Sequence, residues 1–132
     1  MFAMVLLTFS VLVRLFSLRS KLARAGEIDP AYFSIYQGKA EPEQSAKLAR
    51  NFTNLYEAPV LFYVCCVSAI SVNTTGLPFF LLAWAYVAAR AIHTYIHTGS
   101  NKIWPRVYAY FSSWLILLSM WALLAIRVIT SE

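Results

Sequence analysis

The chain has 132 residues, 60% of them hydrophobic and only 13% charged, with 11 Lys and Arg against 6 Asp and Glu. A water-soluble domain of this size could not clothe so apolar an interior with the polar surface that remains, so composition excludes the soluble classes and points to the membrane. The basic surplus lies between the apolar runs instead of in one stripe, which makes it a marker of orientation and not a nucleic-acid footprint.

Windows of about 20 residues, the length that crosses a hydrocarbon core, predict four spans at 1–18, 52–72, 77–97 and 107–129. The expected fold class is therefore all-α, an integral membrane bundle of four transmembrane helices forming a single domain over 1–132. The first span has no basic start, and no small-residue cleavage site precedes the basic stretch 19–24, so it reads as a membrane helix and not as a signal peptide. On it Ser10, Arg14, Ser17 and Lys21 share one helical face. Long cationic side chains near a span's end can also snorkel to the headgroups, which leaves Arg14, Lys21, Lys47 and Arg50 open to a structural reading.

Residues 25–45 form the one extended hydrophilic segment. Gly26, Pro30, Gly38 and Pro42 punctuate it and Tyr32, Phe33, Ile35 and Tyr36 lie within it, so it is expected as an ordered loop packed on the mouth of the bundle. The second span carries Lys47, Arg50, Asn54 and Glu57 on one face. Glu57 sits about two turns inside that span, beyond easy snorkelling, and Pro59 follows it; proline's missing amide hydrogen leaves the Leu55 carbonyl without its helical partner. An interhelical pair of Glu57 with Arg14, Arg50 or Arg90 is the structural alternative to a ligand contact. Cys65 and Cys66 are adjacent, point about 100° apart on a helix and have no metal-type spacing, so they read as core packing.

The turn at 73–76 is uncharged. Its Asn73-Thr74-Thr75 matches a glycosylation sequon, yet so short a loop would press the acceptor against the bilayer, and modification is not expected. The third span shows the plainest pattern: Tyr86, Arg90, His93 and His97 recur at steps of four, three and four, within one narrow arc. Ionisable groups at membrane depth are expensive unless they face other helices or water. His93 and His97 could reach one ion from i and i+4, but the surrounding positive charge opposes a divalent cation, and no metal is expected. Trp104-Pro105 suits an interfacial anchor followed by proline in a first helical turn. Arg106, Tyr110 and Ser113 then share a face of the last span.

Arg19, Lys21, Arg24, Lys39, Lys47 and Arg50 lie between or flank the first two spans, and Lys102 and Arg106 lie between the last two, so the positive-inside rule puts both connections on the cytosolic side and the termini opposite. Most polar seam residues lie in that half, which predicts a polar cavity open to the cytosol with a positive interior, suited to an anionic, water-soluble ligand. A bacterial inner membrane is the simplest location.

These residues resemble a known superfamily, the membrane-associated proteins in eicosanoid and glutathione metabolism, which includes microsomal glutathione transferases and microsomal prostaglandin E synthase. The resemblance is carried by Ala49-Arg50-Asn51-Phe52-Thr53-Asn54-Leu55-Tyr56-Glu57, with its Asn-x-x-Glu; by Arg90-Ala91-Ile92-His93; and by Pro105-Arg106 with Tyr110 one turn later. The order and placement of these motifs in four spans cover nearly the whole chain, in the manner of the little-characterised bacterial branch. The resemblance implies a homotrimer with glutathione, as co-substrate, bound between subunits near the cytosolic face, and a lipophilic small-molecule substrate drawn from the membrane lipids. It assigns glutathione contacts to Arg19, Asn54, Glu57, Arg90, His93 and Tyr110, with Glu57 on the tripeptide's amino group, and gives Arg106 the catalytic role of stabilising the thiolate. Thr53, His97 and Val107 depart from the family pattern, and Val107 in particular points away from prostaglandin isomerisation. The implied activity is a glutathione-dependent transferase or peroxidase acting on lipophilic electrophiles or lipid hydroperoxides. A non-catalytic membrane protein of the same fold is the alternative, and an ion or proton path using Glu57 and the histidines is disfavoured because polar groups thin out toward Asn73.

Overall fold

A computed structural model describes residues 1–29, 31–35 and 41–130. Among them no strand occurs, and the order is α1 (Phe2–Arg24), α2 (Tyr32–Ile35), α3 (Glu43–Asn54), α4 (Ala58–Ser71), α5 (Leu77–Thr98) and α6 (Ile103–Thr130). Four helical stretches are long and apolar enough to cross a membrane: Phe2–Arg24, Glu43–Ser71, Leu77–Thr98 and Ile103–Thr130. At 1.5 Å per residue the shortest of these, 22 residues, rises about 33 Å, enough for a core of about 30 Å. The protein is thus a four-span, all-helical membrane bundle, in which α3 and α4 together make the second span.

Each helix buries one stripe and gives the rest to lipid. Met4, Val11 and Leu15 do so on α1, and Ser113, Leu117, Met120 and Leu124 on α6, at the three- and four-residue spacing of one helical face. Phe62, Cys65 and Ala69 fill the interior from α4, with Phe62 stacked on Tyr86 of α5 at 4.5 Å between centroids. The two cysteines are buried and unpaired, in keeping with their reading as core residues. Large apolar side chains such as Phe2, Phe9, Phe16 and Leu115 stand exposed around the outside, where a bilayer supplies the solvent they need. The closest helix pairing is α5 on α6; α1 packs on α3, α3 on α5, and α4 on α6.

The helix ends are set by backbone chemistry that hydropathy does not register. Gly26, at φ +72°, stops α1 in a Schellman arrangement: its N–H bonds to the Ala23 carbonyl and the Glu27 N–H to the Leu22 carbonyl. Asn73, at φ +52°, stops α4 the same way, with its N–H on the Ile70 carbonyl and the Thr74 N–H on the Ala69 carbonyl. α6 begins two residues before Pro105, which therefore occupies its first turn as expected, beside an exposed Trp104.

The second span departs most from its expected limits. Its helix starts at Glu43, nine residues before position 52, as the polar α3, and it breaks over residues 55–57 before α4 resumes. Pro59 denies the Leu55 carbonyl a helical donor, and the Tyr56 N–H turns back to the Thr53 carbonyl at 2.9 Å. In the hydrophilic connection Ile28 is buried and Tyr32 and Phe33 are half-buried, consistent with a loop packed on the bundle. Pro30, Tyr36 and Gly38 lie outside the described residues, and the segment's last residues, from Glu43, belong to α3.

Candidate functional site

At the end of the bundle that carries the α5–α6 turn, a cavity of about 440 Å³ opens between three helices. α3 contributes Arg50, Thr53 and Asn54, α5 contributes His93 and His97, and α6 contributes Arg106, Val107 and Tyr110. The four-residue step from Arg50 to Asn54, the same step from His93 to His97 and the same step again from Arg106 to Tyr110 each put two polar side chains on one helical face. Three polar faces converge, and the space between them stays open because charged and hydrogen-bonding groups do not close on one another without partners.

Several polar groups in the wall are held from behind. Arg106 donates from Nη1 to Asn101 Oδ1 at 2.6 Å, and Asn101 occupies a left-handed backbone position, φ +49°, in the α5–α6 turn. The His93 Nδ1 lies 3.1 Å from the Arg106 carbonyl oxygen. A carbonyl only accepts, so Nδ1 carries the hydrogen, and in a neutral ring Nε2 is left as a lone pair, buried and without a partner among the described residues. The His93 ring is 5.6 Å from both the His97 and the Tyr110 rings.

Arg90 lies beneath this layer and is fully buried. Its Nη2 donates to the backbone carbonyl of Asn54 at 2.7 Å, and its guanidinium carbon sits 5.7 Å from the centre of the Tyr110 ring. In an unbroken helix the Asn54 carbonyl would accept from the amide of Ala58; at the break it accepts from Arg90 instead. The remaining guanidinium atoms Nε and Nη1, the Tyr86 hydroxyl, the Thr94 hydroxyl and both side-chain polar atoms of Asn51 are buried without hydrogen-bond partners among the described residues. Such a layer is the environment in which internal water is found.

Of the residues singled out from the sequence, Asn54, His93, Tyr110 and Arg106 meet in the cavity wall, and Arg90 supports that wall from below. Glu57 lies past the end of α3 and is not among the residues lining the cavity. It is exposed and its carboxylate makes no hydrogen bond or ion pair among the described residues, and the expected stripe from Lys47 to Glu57 is interrupted after Asn54 by the break over 55–57. Arg19 stands outside the cavity lining. Its guanidinium pairs with Glu41 at 3.1 Å, reaches Ser45 Oγ at 3.3 Å and packs on the Phe33 ring at 4.3 Å, tying the end of α1 to the start of α3. Lys47 pairs with Glu43 at 2.8 Å. Sequence reasoning passed over Arg50 and His97 as ligand contacts, although their positions on the polar stripes were visible. Asn51, four residues from Lys47 and three from Asn54, was given no role from the sequence; its complete burial marks it.

Neither a search of curated proteins nor one of solved structures returned a significant match. A family model, that of the MAPEG family, matches residues 1–126, which reach into all four spans, and the chain belongs to that family.

Proposed function

We propose that the protein is a glutathione-dependent membrane enzyme that transfers the thiol to lipophilic electrophiles or uses it to reduce lipid hydroperoxides. The observation that carries this reading is the cavity of about 440 Å³ with Arg50, Asn54, Arg106 and Tyr110 in its wall. Its volume falls in the usual range of small-molecule sites, about 300–1,000 Å³. Glutathione brings two carboxylates, an ammonium and a thiol. Arg50 and Arg106 answer the anionic groups, the Asn54 amide can bond the peptide backbone, and Arg106 stabilises the thiolate. Glu57, exposed one turn beyond the cavity, would take the ammonium in a homotrimer whose neighbouring subunit covers that face. Both basic connections would face the cytosol, placing the cavity where glutathione is abundant; a bacterial inner membrane is the setting we favour.

In conjugation, the thiolate sulfur bonds to an electrophilic carbon while the leaving group departs with the bonding electrons. In hydroperoxide reduction, the sulfur takes the terminal oxygen, the O–O bond breaks and the alkoxide is protonated. The resulting sulfenic acid then condenses with a second glutathione to give disulfide and water. Neither route needs a metal.

Equilibrium dialysis of detergent-purified protein against glutathione at cellular millimolar levels tests the reading, with native mass spectrometry for the trimer. Saturable binding lost in Asn54→Ala is expected; no binding would sink the enzyme and favour a structural or regulatory MAPEG protein. One observation favours that second reading, namely that Arg106 already has an internal partner in Asn101.

A further inference from the structure

A second polar concavity lies on the outer face of α1, away from the cavity described above. Arg14, Ser17 and Lys21, at spacings of three and four, line it with Val13, Leu18 and, from α3, Leu48; its volume is about 310 Å³. All three polar residues are exposed, and none of their side chains makes a hydrogen bond or ion pair among the described residues. Glu41 and Glu43 are engaged by other cations, Glu41 by Arg19 and Glu43 by Lys47.

The surroundings are those of a lipid-facing surface. Leu12, Val13 and Phe16 are 40%, 47% and 72% exposed, so the Arg14 charge emerges among apolar side chains of the kind that acyl chains cover. Lys21 lies close to the end of α1 at Arg24, at interface level, and Arg14 lies two turns deeper, about 10 Å along the axis. A cation there is costly unless it finds a counter-charge. Snorkelling toward the nearer interface is a poor remedy for Arg14, because helical side chains lean toward the N-terminus and that interface lies at the C-terminal end of α1. The counter-charge must come down to the arginine, and the groove gives it room.

We propose that this groove is a specific site for one anionic phospholipid, its phosphodiester held between Arg14 and Lys21 with Ser17 donating a hydrogen bond, and its first methylenes against Val13, Leu18 and Leu48. The site does not use the glutathione cavity; it needs the membrane-spanning fold with this face of α1 turned to lipid and not to a neighbouring subunit. The two cations and the hydroxyl match any phosphate, and the aliphatic floor is what selects a lipid over a soluble ion.

The test is native mass spectrometry of protein released from a neutral detergent after incubation with phosphatidylglycerol or with phosphatidylcholine of the same acyl chains. One retained phosphatidylglycerol per chain is expected, with a preference of about thirtyfold over phosphatidylcholine, as two cations near a membrane surface would give. Arg14→Gln with Lys21→Gln should erase the preference. Arg24→Gln with Arg127→Gln, the same change in charge elsewhere, should preserve it, and Arg14→Lys, which keeps the charge and guards against a folding defect, should retain most of it. Equal retention of both lipids, an unchanged preference in the Arg14/Lys21 variant, or displacement of phosphatidylglycerol by millimolar inorganic phosphate would each overturn the proposal, the last by showing a site for a soluble anion.

Discussion

Replacing Arg106 by alanine is the sharpest probe of the proposed chemistry. A free thiol has a pKa of about 8.5, so only a few per cent is thiolate at pH 7. Lowering that value by about two units makes most of the thiol anionic and requires roughly 2.7 kcal/mol of preferential interaction with the anion. One guanidinium at about 4 Å, with an effective dielectric near 20, supplies about 4 kcal/mol before desolvation takes its share. Arg106 is well placed to supply it, since it lines the cavity and commits one donor to Asn101 while the guanidinium has others to offer the ligand. Arg106→Ala should therefore abolish the ultraviolet thiolate band of bound glutathione and slow turnover at neutral pH by about a hundredfold, while Asn54 and Arg50 keep binding largely intact. Raising the pH should restore part of the rate, because the thiol then ionises without help; a collapsed bundle would recover nothing. Asn101→Gly gives an intermediate test. Glycine tolerates the left-handed backbone that Asn101 adopts, so only the side chain that aims Arg106 is lost, and a loss of about tenfold is expected. A variant without Arg106 that keeps full turnover and an unchanged thiolate band would refute the assignment.

Arg90→Ala should destabilise the folded protein by about 3 kcal/mol or more, since it leaves the Asn54 carbonyl without its partner and opens a void where a long, fully buried side chain stood. Denaturation in a mild detergent measures it, and wild-type stability would mean that the helix break does not depend on this bond. Arg19→Gln should lower stability through its contacts with Glu41, Ser45 and Phe33 more than it lowers glutathione affinity; the reverse ranking would return Arg19 to the binding site. Single cysteines at Gln37, Ser100 and Thr75, treated with an impermeant thiol reagent in sealed cells, should react from outside only at Thr75, and labelling of Ser100 from outside would invert the topology.

The spans were legible because membrane insertion depends on length and apolarity, which a sequence displays directly. The stripe from Tyr86 to His97 was legible for a related reason: a period of three and four survives any straight helix, and α5 is unbroken from Leu77 to Thr98. The same logic ran the stripe from Asn54 on to Glu57 and missed the break between them, because periodicity does not register where a helix stops. Pro59 gave warning that hydrogen bonding would fail there, but the bond that the Asn54 carbonyl takes instead comes from Arg90, 36 residues away in sequence, which no local pattern displays. The Arg19 clamp was hidden too: Glu41 and Phe33 belong to a connection with no regular period, and only packing brings them to the end of α1.

The break over residues 55–57 explains why one helix can line a polar cavity and then continue as an apolar span. α3 is rich in polar residues and buries Ser45, Leu48 and Asn51, whereas α4 is apolar on nearly every side. A single straight helix would have to keep Asn54 and Glu57, three residues apart, on one face, drawing a carboxylate toward Arg50, Arg90 and Arg106. Neutralising those cations would weaken the cavity's attraction for an anion. By ending α3 at Asn54 and giving that residue's carbonyl to Arg90, the fold supplies the buried guanidinium with a neutral backbone acceptor at Nη2, and Glu57 stays exposed beyond the break. The cavity lining keeps Arg50 and Arg106 with no carboxylate among its residues.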